Sequence, residues 1–397
     1  RKQERHTEAE SLYRRSVAIR EKAFGPNHQD VAQSLDSLAN FYSEQGRHTE
    51  AEPIFQRSLK IYEKTLGSDH PHVATSIHNL AVLYNNQDRY AEAIMMSRRS
   101  IDILRLRFSE GFGEQTKGAR SEQQKITGGS LFHLRLLTKS MQEDDAKTQS
   151  ALVSESFETA QQATITRTSS TLTRLGARFA SGEGALAETV RHYQDLFDQH
   201  EALEALVLKE LSQTSKTRNK GKIKNLRIQL EKIQSSLSTA RDGLEQDFPA
   251  YAKLARPQPL GIEDVKRLLA PKEALLTFVV GEEESFLWVI RPGLEKFFIL
   301  QAGEEELSKT IAGLRQALNP QLGLRPFDLE ASKHLYDLLL KPAEASLIGV
   351  EDLLIVPDGP LQSLPLGLLV KHLGRIPEGE PGDETVAIAS RGLGGVV

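Results

Sequence analysis

HTEAESLYRRSVAIREKAFGPNHQDV, residues 6–31, reappears as HTEAEPIFQRSLKIYEKTLGSDHPHV at residues 48–73. A shift of 42 positions turns His6-Thr7-Glu8-Ala9-Glu10 into His48-Thr49-Glu50-Ala51-Glu52. It pairs Ser16 with Ser58, Ile19 with Ile61, Gly25 with Gly67, His28 with His70 and Val31 with Val73. The register runs on through Leu38 and Leu80, Ala39 and Ala81, Tyr42 and Tyr84, and Arg47 and Arg89. A second shift carries Glu50-Ala51 to Glu92-Ala93 and Ser58 to Ser100. One period held through so many positions marks a stacked repeat architecture.

Each unit reads as a helix pair. Ile77, Leu80, Ala81 and Tyr84 form an inner face at helical spacing, Asn86-Gln87-Asp88 makes the turn, and Ala93, Met96 and Ser100 line the second helix. Small residues at Ala81 and Ala93 allow close helix approach. One pair cannot bury its own apolar face, so the pairs must stack into a solenoid. The spacing predicts helices over 7–23, 29–45, 49–65, 71–87 and 91–107. This pattern, and Ser76-Ile77-His78-Asn79-Leu80-Ala81-Val82-Leu83-Tyr84 above all, resembles the long form of the tetratricopeptide repeat found in kinesin light chains. The resemblance covers residues 1–107, about two and a half units. The chain opens on the second helix of a pair, which implies a missing half-repeat upstream.

The rest of the sequence adds three further segments, and the expected fold class is mostly α. Residues 108–144 read as a linker, with Gly111–Ser130 rich in Gly, Gln, Ser and Lys and a short helix expected over Leu131–Met141. Residues 145–255 read as a helical hairpin region. There Ile223, Leu226, Leu230, Ile233, Leu237, Ala240 and Leu244 form a coiled-coil seam, which faces Leu186, Val190, Tyr193 and Phe197 across a polar turn at Ser212–Lys222. Past Pro257 and Pro259 the period changes, and residues 256–397 read as an incomplete α/β domain. Strands are expected at Ala274–Val280, Ser285–Ile290, Lys296–Gln301 and Asp352–Val356, with helices near 304–318 and 329–347 and a further strand at Thr385–Ala389.

Phe248-Pro249-Ala250-Tyr251-Ala252, Pro259-Leu260, Glu273-Ala274-Leu275-Leu276 and Val280-Gly281, followed by Ser285-Phe286-Leu287-Trp288-Val289-Ile290, resemble the start of CHAT domains. Val356-Pro357-Asp358-Gly359-Pro360-Leu361 with Leu364-Pro365-Leu366 is similar to that family's next block. CHAT domains are caspase-like domains found attached to tetratricopeptide repeats. The resemblance implies a cysteine-peptidase fold with a His-Gly at one strand end as base and a Cys at the next as nucleophile. None of the eleven histidines here, His334 and His372 included, precedes a glycine, and the chain has no cysteine. The domain is therefore read as cut before its dyad, and Asp358-Gly359 as turn chemistry. The Ser390–Val397 tail departs from the family pattern, and Gly392–Gly395 lack the lysine of a phosphate loop.

Composition narrows the function. A net charge of −4 without a basic stripe argues against nucleic acid, and the strand-sized apolar runs argue against a membrane span. Absence of cysteine and of a leader-like N-terminus fits the cytoplasm. The sequence assigns no catalytic residue, metal ligand or cofactor, and it does not fix the oligomeric state. His28 and His70, one per inter-repeat turn, read as packing or capping. The expected function is a protein-interaction scaffold: a peptide or protein ligand lies in the solenoid groove, held by Asn40, Asn79 and Asn86 through amide donor–acceptor pairs. Asn79 sits where related repeats place a groove asparagine. The alternative is a piece of a repeat-regulated, caspase-like cysteine peptidase.

Overall fold

The computed structural model describes residues 2–109, 119–141, 148–162, 183–214, 217–249, 251, 259–318 and 326–371. Its contacts divide the chain into two units, residues 1–148 with 165–258 and residues 149–164 with 259–397. The expected strand at Thr385–Ala389, the glycines after it and His372 lie outside the described residues.

The first unit opens with five helices: α1 (Lys2–Phe24), α2 (Gln29–Glu44), α3 (His48–Leu66), α4 (Pro71–Asn85) and α5 (Tyr90–Ser109). They match the repeat-derived spans to within a few residues because the same apolar set recurs in each pair. Val31, Leu35, Leu38, Ala39 and Tyr42 are buried on α2, as are Val73, Ile77, Leu80, Ala81 and Tyr84 on α4. His28 and His70 cap α2 and α4, each ring accepting from a backbone N–H two residues on. That satisfies one of the orphan donors of a helix start. Asp88 takes, at φ 57°, the left-handed turn conformation that Gly46 takes at φ 73° one repeat earlier.

Residues 119–141 correct the sequence reading. They form one helix, α6 (Ala119–Met141), where most of the segment was expected to be linker. Ile126, Ser130, His133, Leu134 and Leu137 are buried, and Gly129 sits with Ile101 of α5 beside it. Packing against α5 outweighs the helix cost of Gly128-Gly129, roughly 1 kcal/mol per glycine. Residues 148–162 form a further helix, α7.

Helices α8 (Ala185–Leu211) and α9 (Lys220–Asp247) make an antiparallel hairpin. Its layers follow the heptad register. Val190 meets Leu244, Leu196 and Phe197 meet Leu237, and Val207 and Leu211 meet Ile223 and Leu226.

The second unit is built on a four-stranded sheet in the order β3-β2-β1-β4, with β1 (Glu273–Val280), β2 (Ser285–Arg291), β3 (Leu294–Leu300) and β4 (Asp352–Val356). β1, β2 and β3 form an antiparallel meander, and β4 returns parallel to β1, with Leu276 opposite Ile355. A parallel return needs a crossover. Here α11 (Glu304–Ala317) and α12 (Leu329–Leu339) supply it, and a shorter helix, α10 (Ile262–Leu268), precedes the sheet. The expected helix 329–347 breaks at Leu340 into a 3₁₀ segment, Lys341–Leu347, because Pro342 lacks the N–H that an α-helix requires. One sheet face buries Ala274, Leu276, Phe278, Leu287 and Val289 against Leu307, Ile311, Leu335 and Leu339. On the other face Trp288, fully buried, donates through Nε1 to Ser156 Oγ of α7 at 2.9 Å and packs beside Phe157. That contact places α7 with the sheet, apart from the hairpin with which the sequence had grouped it.

Candidate functional site

The curvature of the solenoid selects its inner face. α2 touches α4 directly, and Phe132 of α6 meets His78 of α4 edge-on at 5.0 Å. On the other side, α1, α3 and α5 are bridged by long side chains, Arg57 to Glu21 at 2.5 Å and Arg99 to Glu63 at 2.6 Å. Helices that approach more closely lie on the inside of a curved stack, so α2, α4 and α6 line the concave side.

On α2 the residues left exposed or half-exposed toward that side are Gln33, Ser37, Asn40 and Glu44. Their register equivalents on α4 and its C-cap are Thr75, Asn79, Val82 and Asn86. The candidate amides therefore share one stripe but not one register. Asn40 aligns with Val82, and Asn79 with Ser37. Ser37 and Thr75 bond back to carbonyls of their own helix, at 3.1 and 3.0 Å. Among the described residues, the side-chain amides of Asn40 and Asn79 make no hydrogen bond. Asn86, exposed, accepts from Asn85 Nδ2 at 3.5 Å, while Lys139 of α6 donates to Asn85 Oδ1 at 3.0 Å. Such a row offers donors and acceptors on neighbouring turns, which is what an extended backbone needs.

Two titratable groups on this side escaped the sequence reading. Asp36 and His78 occupy equivalent positions at the helix junctions. Burial pushes the Asp36 carboxyl up to about 6, against the hydroxyls of Ser58 and Ser76, which lower it, and its Oδ1 is buried without a hydrogen-bond partner. Burial lowers the His78 imidazole, keeping it neutral. The signal was available: each is a polar residue interrupting an apolar helix face at the same repeat position.

A second recurring set holds the repeats together. Glu10 accepts from the Tyr42 hydroxyl at 2.9 Å and from Arg47 Nη1 at 2.6 Å, and Arg47 also binds Glu50 at 2.7 Å. One repeat on, Glu52 accepts from Tyr84 at 3.1 Å and from Arg89 at 2.9 Å, with Glu92 in the place of Glu50. Hydrogen bonds that each guanidinium donates to its two glutamates hold Arg47 and Arg89 firmly in the charged form. The recurrence of Glu10/Glu52, Tyr42/Tyr84, Arg47/Arg89 and Glu50/Glu92 was legible beforehand, but not that they form one bonded set.

In the second unit, Asp358 is buried and Oδ2 accepts from the Val280 N–H at 3.0 Å, tying the end of β4 to the end of β1. His334 pairs with Glu306 at 3.1 Å on the surface. Among the described residues no group of three His, Asp or Glu side chains could hold a metal ion, and no helix is long and apolar enough to cross a membrane.

The repeat family model that matches this chain is the tetratricopeptide repeat, over residues 1–63 and 31–105. Residues 1–105 carry tetratricopeptide repeats. Solved structures that resemble the chain include Podospora anserina kinesin-light-chain-type repeats described as nearly identical TPR-like repeats. That crystal structure is 21% identical with a TM-score of 0.27, covering 48% of this chain and 88% of the other. A point-substituted form of the same protein is 22% identical at the same TM-score, covering 48% and 87%. No curated protein matches the chain. At these values the fold assignment rests on the chain's own repeat geometry. Tetratricopeptide repeats are protein-binding repeats, so the concave stripe on α2 and α4 is the candidate partner face.

Proposed function

We propose that this chain is an interaction scaffold whose solenoid holds an extended peptide segment of a protein partner along α2, α4 and α6. The observation that carries the reading is the polar stripe on α2 and α4, where, among the described residues, the Asn40 and Asn79 amides make no hydrogen bond. Asn86 at the α4 C-cap extends it by one step. The stripe's hydroxyls, on Ser37 and Thr75, are turned back to carbonyls of their own helices, which leaves the amides of Asn40 and Asn79 as its recognition groups. The sheet unit is, in this reading, the leading part of a CHAT-type caspase-like domain serving as a non-catalytic attachment. It is supported by a β-meander followed by a parallel return strand and by the buried Asp358 turn. The setting is cytoplasmic.

Selecting peptides from a display library on the immobilised whole chain provides a ligand. Titration of that peptide should weaken about fivefold for each of Asn40→Ala, Asn79→Ala and Asn86→Ala, the value of one net hydrogen bond near 1 kcal/mol. Helix content should not change. Unaltered affinity in all three variants would place the partner elsewhere.

A further inference from the structure

The closed end of the α8–α9 hairpin rests on two turns of the same repeat register. At the α1–α2 turn the His28 ring, 1% exposed, hydrogen-bonds the Leu211 carbonyl through Nε2. At the α3–α4 side Arg227 donates through Nη2 to the Thr65 carbonyl. Leu66 packs against the cluster of Val207, Leu211, Ile223 and Leu226 between them.

Both nitrogens of His28 are committed. A carbonyl can only accept, so Nε2 must carry the proton. Nδ1 accepts from the Asp30 N–H at 3.0 Å and so must not carry one. One neutral tautomer satisfies both bonds, and a second proton on Nδ1 would confront the Asp30 N–H. Phe24 stacks on the ring at 4.6 Å and helps to exclude water. Two charged groups face the imidazole. The Asp30 carboxylate on α2, 3.6 Å from Nδ1, favours a second proton, and the Arg218 guanidinium in the α8–α9 turn opposes it. His70 caps α4 from the same register position and is only half-buried.

We propose that His28 is a pH-operated latch: neutral, it clamps the closed end of the hairpin onto the α1–α2 turn, and a second proton releases that end. Burial, the largest influence, holds the folded imidazole below its ordinary value despite Asp30 and despite the Leu211 and Gln213 carbonyls, which favour the protonated ring. A base lowered in the closed state binds fewer protons there than in the open state. The closed state is therefore fully favoured above the ordinary imidazole range and is lost as pH falls below it. Release uncovers the apolar cluster around Leu211 and Leu66.

The absence of cysteine makes the test direct. Lys64→Cys and Lys209→Cys, both outside the apolar cluster, take a dye pair on the full chain for single-molecule energy transfer. One short distance is expected at about pH 7.5. A longer population should grow below roughly pH 6.5, its ratio to the short one rising about tenfold per pH unit, while helix content stays constant. His28→Gln, which keeps an amide donor but cannot titrate, should hold one distance throughout, and His28→Ala should be open at every pH. A wild-type distance that ignores pH, a His28→Gln chain that opens as the wild type does, a His28→Ala chain that stays closed, or helicity lost in step with the opening would each overturn the latch.

Discussion

Arg89 stands 4.2 Å over the Tyr84 ring, the same separation at which Arg47 stands over Tyr42 one repeat earlier. The guanidinium thus touches an aromatic face while its edges reach two carboxylates, a combination that a lysine cannot reproduce. In Arg89→Lys the charge survives but the planar fork is lost, so a repeat junction should loosen even though net charge is unchanged. Thermal unfolding should rank wild type above Arg89→Lys and Arg89→Lys above Arg89→Ala. A lysine variant as stable as the wild type would reduce the interaction to simple charge pairing.

Asp36 makes a prediction of opposite sign. Its carboxyl titrates near 6 in the folded chain, above the ordinary 3.8, so ionisation opposes folding. The cost is absent below the unfolded value, grows between the two, and is fully present above about pH 6. Asp36→Asn should therefore stabilise the chain at neutral pH by about 1–3 kcal/mol, with no gain remaining near pH 4. Urea unfolding of both proteins at the two pH values decides it. An equal gain at both would trace the effect to packing.

What the sequence revealed and what it hid follow a physical division. Helices α1 to α5 were legible because Val31, Leu38, Ala39 and Tyr42 and their successors repeat one apolar stripe. Asn40 and Asn79 were legible only as polar positions beside it. α6 was not, because Gly128-Gly129 and the polar residues around them read locally as linker, and only contact with α5 makes them helical. Trp288 and Ser156 are separated by 132 positions, so nothing local announced that α7 belongs to the sheet. Asp36 stayed hidden because what matters about it, a desolvated carboxylate, depends on burial that only the packing of neighbouring helices creates.

Gly303 supplies a steric test of the second unit. A Cβ there would lie 2.2 Å from the Glu282 carbonyl oxygen, and that contact is backbone, which cannot swing away. The turn 281–284 is further pinned by the Glu304 N–H donating to the Gly281 carbonyl at 2.9 Å. Gly303→Ala should therefore cost several kcal/mol, roughly 3 or more, as the start of α11 is forced off the turn. Gly313, exposed on the same helix with nothing within 4 Å, is the internal control. Gly313→Ala should gain about 1 kcal/mol through helix propensity. Calorimetry of the two variants should shift in opposite directions.

Asp358 allows the turn reading to be separated from any catalytic one. Its carboxylate is 3% exposed and accepts from the Val280 N–H at 3.0 Å, closing the end of the parallel β1–β4 pair. Gly359 follows at φ 54°, in the left-handed region that lets the chain turn tightly beside Val280. A structural role predicts that Asp358→Asn, which keeps an oxygen acceptor, costs less than Asp358→Ala, which leaves the Val280 N–H buried and unpaired. The alanine penalty should be about 1.5–3 kcal/mol, the range for a buried hydrogen bond to a charged group. Hydrogen exchange at Val280 gives the local readout: its amide should lose protection in the alanine variant and keep most of it in the asparagine variant. If Asp358→Ala left that amide protected, the carboxylate would not be what closes the sheet end, and its burial would need another cause.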